Sequence, residues 1–363
     1  MSVSLLVIAA LAALYLQGRL FRKGGLARLS YERKFDRSFC TEGDQVEMHE
    51  RIANDKALPL PWLRLEALLS SELHFVNQDN LSVASGQRLQ NHRSLFSLRG
   101  HTEIVRKHRV HCVRRGCYDL KTVTMSCGDL FGISQAVRTQ QVDVRLLVYP
   151  RPAPLAELPL PWRGWHGEYT VRRWTVEDPF VFQGIREYRR GDPLRSIHWK
   201  ATSRTGELHV REQGYTADRR IMVLLNVAVK EDMWGEVTDE PLIEWGIRCA
   251  LTVVERGLAE GMPVGFGCNA ASVDEPGRST RIPPASGNLQ HKDILDALAK
   301  LELTQQVNFP EFLRLESEQK EDPSDYVIIS AFQSVRLKEQ VEALRSRGCR
   351  VDVLPLEREV IRQ

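Results

Sequence analysis

Long apolar runs are scarce in this 363-residue chain. One stands out, from Val3 to Leu16, and one span is too few for a polytopic membrane protein. An excess of either charge is also missing. The net charge of +3 is small for this length, whereas a nucleic-acid binder shows a stronger basic excess or a basic stripe with aromatics, so no nucleic acid is expected. Paired Cys-x-x-Cys spacing is absent. The seven cysteines, Cys40, Cys112, Cys117, Cys127, Cys249, Cys268 and Cys349, are odd in number and scattered. Such a set does not make the disulfide framework of a small secreted domain, and reduced thiols are the simpler reading. No Walker A loop occurs, and Gly265-Phe266-Gly267 lacks the third glycine of a dinucleotide fingerprint, so no cofactor is expected. Internal repeats and low-complexity tracts are missing too. The remaining composition is near globular averages, and the length has room for two or three cores.

Cys112 and Cys117, with His108, His111 and Cys127 nearby, invite a zinc hypothesis. Strand alternation gives a plainer account, with Val110 and Cys112 on one face and Arg109 and His111 on the other. Met125 and Cys127 repeat that spacing. These cysteines are read as core, and no metal is expected.

The run from Val3 to Leu16 covers about 21 Å as a helix, and including Leu20 and Phe21 with Arg19 snorkelling extends it to about 28 Å. Arg19, Arg22 and Lys23 follow the run, whereas a cleaved signal peptide carries its basic residues before it. Residues 1–23 are therefore expected to be an uncleaved anchor, with the downstream body on the cytoplasmic side by the positive-inside rule.

From 29 to 150 the pattern is β-like. Gln45 to Ile52 and Ile104 to Val113 alternate, Leu63 to Leu69 is apolar, and Gly43-Asp44, Asn54-Asp55, Gly100 and Arg115-Gly116 supply turns. An all-β, Ig-like sandwich is expected, with Pro59, Pro61 and Trp62 at an edge or bend. Pro150, Pro152, Pro154, Pro159 and Pro161 then begin a connector over 151–180, which includes Trp162 to Trp174. Over 216–363 the apolar runs Ile221 to Leu225 and Tyr326 to Ile329 read as strands buried on both faces, and Val351 to Leu354 as a last one. Helical faces separate them, with Leu242, Trp245, Cys249, Thr252 and Val253 on one and Leu337, Val341 and Leu344 on another. This alternation predicts a mostly parallel α/β sheet.

Between the two patterns, over 181–215, lies a segment dense in coupled features. Gly191-Asp192-Pro193 offers a turn, an N-cap and a first-turn proline, which predicts a short helix from Pro193 to about Trp199. Arg204-Thr205-Gly206 reads as the next turn, and Glu207 to Glu212 as a strand. Arg186, Arg189, Arg190, Arg195, Lys200, Arg204 and Arg211 are interleaved with Glu187, Asp192, Glu207 and Glu212. They form either a salt-bridged latch or a surface for phosphate or carboxylate. Arg186, Asp192, Arg195 and Arg204 are expected to act together. Asp192, Ser196 and His198 suggest nucleophilic catalysis, but positions six apart on a helix do not face one another, so no enzyme is expected.

The string from Gly184 to Glu212 resembles the signature of the domain of unknown function 58 family, membrane-associated bacterial proteins often encoded beside MoxR-type AAA+ ATPases. Its features here include Gly184, Arg186, Tyr188, Gly191, Asp192, Arg195, His198, Trp199, Lys200, Arg204, Gly206, Glu207, Arg211 and Glu212. Leu58 to Leu65, Arg115-Gly116-Cys117-Tyr118, Gly128-Asp129-Leu130-Phe131-Gly132 and Val148-Tyr149-Pro150 resemble the β-domain of that family. The resemblance implies a von Willebrand factor A-like (Rossmann-type) domain over 216–363. Many members carry two N-terminal spans, and this chain shows one. In that fold an Asp-x-Ser-x-Ser motif often holds a divalent metal, whereas this chain has Asn226, Ala228 and Lys230 there and Ala331 after the later strand, too few ligands for a hard cation.

Together these readings give a multidomain chain of anchor, β-sandwich and α/β domain. It is expected at the bacterial inner membrane as a single-pass protein with its body in the cytoplasm. The expected function is an interaction or assembly factor, with a MoxR-type AAA+ ATPase as the candidate partner. The alternative is a hydrolase or an enzyme binding an anionic or phosphate ligand through the signature cluster.

Overall fold

Alternation of apolar and polar residues fixes most of the first half, because a strand sends successive side chains to opposite faces. The computed structural model describes residues 3–76, 81–86, 89–132, 134–154, 158, 182–189, 192, 194–213, 220–319 and 324–357. Most of the connector expected over 151–180, with Trp162 to Trp174, lies outside the described residues, as do Arg190, Gly191 and Pro193. Two units are present. The first comprises Met1–Pro152, Ala271–Arg278 and Lys292–Glu302, and the second Ala153–Ala270, Ser279–His291 and Leu303–Gln363.

The first unit opens with α1 (Val3–Gly24), the one helix among the described residues long and apolar enough to cross a membrane. Length and composition of that kind also fit a signal sequence. Ten strands follow: β1 (Leu29–Phe35), β2 (Phe39–Thr41), β3 (Gln45–Asn54), β4 (Leu60–Ser70), β5 (Leu73–Phe75), β6 (Leu81–Ser85), β7 (Leu89–Leu98), β8 (Thr102–Cys112), β9 (Gly116–Gly128) and β10 (Gln135–Tyr149). They form a four-stranded sheet, β1-β3-β8-β5, and a six-stranded sheet, β2-β10-β9-β4-β7-β6. All pairings are antiparallel except β2 with β10. Tyr31 and Ile52 of the first sheet pack with Leu63, Leu65, Val123, Met125 and Cys127 of the second, which makes a sandwich. Its outer edge at β1 is closed by side chains. Arg138 donates to the Leu26 and Leu29 carbonyls and Gln140 to that of Tyr31.

Cys112 and Cys127 are fully buried, and no disulfide joins any of the seven cysteines. Pro61 sits near the start of β4, before the residues Trp62 to Glu66 that pair with β9, at a place where an edge or bend was expected. The strand accommodates it because the register with β7 shifts between Leu60 and Leu63, a bulge that spares a ladder bond at the proline. Within the same unit the buried Arg115 donates to the carbonyls of Leu298 and Leu301, and Tyr149 Oη donates to Asp296 at 2.6 Å.

A polar belt crosses this sandwich. On β3, Val46, Met48, Glu50 and Ile52 all point inward, so a carboxylate occupies an apolar face. Glu50 accepts from Tyr31 Oη at 2.5 Å, Arg33 Nη2 at 2.9 Å and Arg106 Nε at 2.9 Å, with His108 Nε2 at 3.5 Å. Burial alone would push its pKa up, but His108, Arg33 and Arg106 hold it well below the usual carboxylate range. The buried His92 stacks edge-on against Phe75, and burial, then Arg33 and His108, depress its pKa to about 4.

The second unit contains β11 (Phe182–Glu187), α2 (Trp199–Thr205), β12 (His209–Gln213), β13 (Ile221–Leu225), β14 (Gly235–Glu236) and α3 (Glu240–Ala259). The chain continues through β15 (Val264–Cys268), β16 (Ala270–Ser272), β17 (Thr280–Ala285), α4 (Asn288–Lys300), β18 (Leu301–Gln305), α5 (Phe309–Ser317), β19 (Asp325–Ser330), α6 (Val335–Ser346) and β20 (Val351–Pro355), with Ala271–Arg278 and Lys292–Glu302 belonging to the first unit. The main sheet has the order β17-β15-β13-β19-β20, parallel except at β17. Every residue of β13 is buried, as an apolar run with no alternation requires. Asp239 caps α3 by accepting from the Leu242 amide, and Ser334 caps α6 by accepting from that of Leu337. Gly246 lets α3 approach the sheet, since a Cβ there would lie 2.8 Å from a methyl of Leu356.

Candidate functional site

Two places in the second unit carry the residues singled out from the sequence. The first is the signature hairpin, in which β11 and β12 pair antiparallel, with Arg186 opposite Val210 and Glu187 opposite His209. Gly184 pairs with Glu212 and Ile185 with Arg211 in the same ladder. Between the strands lie a 3-10 turn, Leu194–Ser196, and α2. The helix begins later than the Pro193 to Trp199 expectation because Asp192 is engaged elsewhere. Its carboxylate takes both Nη atoms of Arg186 at 2.8 Å and the Arg189 amide at 2.8 Å. This fork lowers the Asp192 pKa to about 2, through Arg186 first and the Arg189 amide second. His198 caps α2 instead, with Nδ1 accepting from the Ala201 amide at 3.1 Å, and Gly206 ends the helix at φ +79.

His198 and Asp192 are thus committed to separate local tasks, a helix cap and an arginine fork. The hairpin is stitched further by the Tyr188 amide on the Leu208 carbonyl and by Thr202 Oγ1, which accepts from the His209 amide. The Thr205 hydroxyl donates to the carbonyls of Ala201 and Glu207. The outer side of this framework has another character. Trp199 is 69% exposed and Leu194 72%, and Lys200, Arg204 and Glu207 are exposed as well. Trp199, Lys200, Ser203 and Arg204 occupy one arc of α2, while Ala201 and Thr202 turn inward. Arg186 and Asp192 therefore come together, and Arg204 stands apart from them on the exposed arc. The side chains of Arg195, Arg211 and Glu212, and Gly191 itself, lie outside the described residues.

The second place is the carboxyl end of β13, where ligands gather in open α/β sheets. Asn226 is fully buried, and its amide is consumed by neighbours. Oδ1 accepts from the Ala228 amide at 3.0 Å and from Asn269 Nδ2 at 3.1 Å, and Nδ2 donates to Ser330 Oγ at 3.0 Å. Asn269 Oδ1 accepts from the Val227 amide at 2.9 Å, and Ser330 Oγ donates to the Phe332 carbonyl at 2.8 Å. Both lone pairs of Asn226 Oδ1 are therefore occupied inside the protein. Ala228 is buried, Ala331 half-buried and Lys230 exposed.

Sequence reading missed Asn269 and Ser330 as partners of Asn226, although Asn269 directly follows the buried β15 and Ser330 ends β19. It also missed the Glu50 belt, whose signal is a carboxylate in phase with Val46, Met48 and Ile52.

No curated protein matches the chain with significance. Among solved structures, the human CEP192 ASH / PapD-like domain is 11% identical, covering 33% of this chain and 86% of that one, with a TM-score of 0.21. A non-cellulosomal cohesin from Archaeoglobus fulgidus is 9% identical, covering 38% and 99%, with a TM-score of 0.22. A type I cohesin in complex with dockerin from Clostridium thermocellum is 9% identical, covering 33% and 99%, with a TM-score of 0.23. The segment that contains both the signature hairpin and the Asn226 network, residues 184–360, matches the family described as Protein of unknown function DUF58.

Proposed function

We propose that this protein is a membrane-anchored interaction or assembly factor, facing the cytoplasm, that docks a protein partner through the outer face of its signature hairpin. One observation carries the reading. The hairpin satisfies Arg186 and Asp192 internally and presents Trp199, Leu194, Lys200 and Arg204 to solvent. Exposed tryptophan and arginine on a stiff scaffold form the composition of interface hot spots. The cations favour a partner with carboxylates around an apolar pocket, and a MoxR-type AAA+ ATPase is the partner suggested by the family resemblance.

In this reading the α/β sheet is a von Willebrand factor A-like domain that works without a divalent cation. The amide network at Asn226 supports that view, because a hard cation needs free carboxylate or hydroxyl oxygens. Recruitment then rests on shape, apolar burial and fixed charge.

The test is binding of the full chain, reconstituted in nanodiscs, to the MoxR-type ATPase of the same organism. Trp199→Ala and Arg204→Glu are each expected to weaken it by about 2 kcal/mol, roughly thirtyfold, as hot-spot changes do. Unchanged affinity in both variants, with wild type binding well, would move the docking face elsewhere.

A further inference from the structure

The candidate membrane span covers Leu5–Gly24, yet its last turns are packed against protein. Gly18 and Phe21 are buried, whereas the described side chains from Leu5 to Ala13 are all exposed. A Cβ on Gly18 would lie 2.5 Å from Ser134 Oγ and 3.6 Å from Asp129 Oδ2. The partner of this part of the span is therefore the turn between β9 and β10. By helical rise Gly18 stands about 9 Å inside the end of the span at Gly24.

The described residues of that turn are tied together by hydrogen bonds. Asp129 is buried, its carboxylate accepts from the Ser134 amide at 3.2 Å, and its carbonyl accepts from Trp62 Nε1 at 3.1 Å. Gly132 takes φ +71 and returns its amide to the Asp129 carbonyl. The same turn thrusts out two apolar side chains, Leu130 at 70% exposure and Phe131 at 65%. Exposed Arg19, Arg22 and Lys23 lie on the neighbouring turns of α1, placed to reach phosphates.

We propose that the β9–β10 turn is a second membrane contact, in which Leu130 and Phe131 enter the boundary between lipid headgroups and acyl chains beside α1. The inference rests on the anchor reading above. A turn fixed to the span about 9 Å inside its end lies at the depth of about 5–10 Å reached by interfacial apolar segments. Lipid is the occupant because the exposed leucine and phenylalanine belong to the turn that packs against Gly18 of the span, and both gain by leaving water. The sandwich is thereby held at a fixed tilt on the bilayer, with the span as one point of attachment and the turn as another.

The test uses the full chain in phosphatidylethanolamine and phosphatidylglycerol vesicles, with the photoreactive p-benzoylphenylalanine replacing Leu11, Phe131 or Leu68 in separate samples. Leu68 is the control, 63% exposed and six positions along β4 from Trp62, or about 20 Å. Lipid adducts are expected at Leu11 and Phe131, with loss of the adduct at Leu68. An adduct at Leu11 without one at Phe131 overturns the second contact and leaves the anchor standing. Adducts at neither position overturn both, and an adduct at Phe131 without one at Leu11 refutes the span and with it the proposal of a second contact beside it. Equal labelling at Leu68 and Phe131 also overturns the proposal, because the contact would not be localised.

Discussion

Glu50 is the single side chain on which most buried charge in the sandwich depends. It faces Arg33 and Arg106, both held inside the fold, so Glu50→Gln leaves two cations without their anion. Breaking a buried pair in this way costs about 3 to 5 kcal/mol, which thermal unfolding in detergent would register as a large drop. A change below about 1 kcal/mol would show the belt to be solvated. His92 adds a pH dependence. Its folded pKa of about 4 lies below the unfolded value near 6.5, so the unfolded chain takes up a proton that the folded chain refuses. Stability should therefore fall as pH drops from 7 to 5, by roughly 2 kcal/mol, and His92→Gln should flatten that slope. An identical slope in the variant would assign the effect to another group. Glu50, depressed below its unfolded value, contributes stability above the ordinary carboxylate range that is lost at still lower pH. At Asn226 the account predicts no saturable heat with magnesium, calcium or manganese. Micromolar binding abolished by Asn226→Ala would contradict it. Asn226 and its missing carboxylate were legible because the strand before it is unmistakable. Its partners were not, since Asn269 and Ser330 come from strands distant in sequence and meet it only through sheet order.

At the scale of elements, the hairpin shows what local signals decide and what they leave open. Gly206 as a helix stop and the following strand were readable. The start of α2 was not, because Asp192 has two competing uses, capping a helix or forking Arg186, and the second is realised. Asp192→Asn should lose that charged fork and speed exchange of the Arg189 amide. Unchanged protection by hydrogen exchange would show that the backbone holds the turn unaided. The end of α1 offers a steric test. A Cβ on Gly25 would meet the Phe21 carbonyl at 2.4 Å and Cys127 Sγ at 2.6 Å. Gly25→Ala should thus destabilise the first unit by about 1 to 3 kcal/mol, as overpacking does, and a neutral result would mean that the helix docks loosely.

At the scale of the whole molecule, period-2 alternation and fully apolar runs were enough to separate a β half from an α/β half, because each pattern reports how many faces a strand buries. Strand order was not available from either pattern. The two sandwich sheets draw neighbours from across the segment, with β1 beside β3 and β2 beside β10, and residues 271–278 and 292–302 join the first unit from far along the chain. The proposed function rests on what each unit leaves exposed, namely apolar side chains on α1 and an aromatic and cationic arc on α2. The most direct measurement of the central claim is co-flotation of the MoxR-type ATPase with vesicles carrying the full chain, alongside Trp199→Ala and Arg204→Glu. The account predicts saturable co-flotation that each variant weakens by roughly thirtyfold. Failure of the wild-type vesicles to carry the ATPase, or equal carriage by all three, would contradict it.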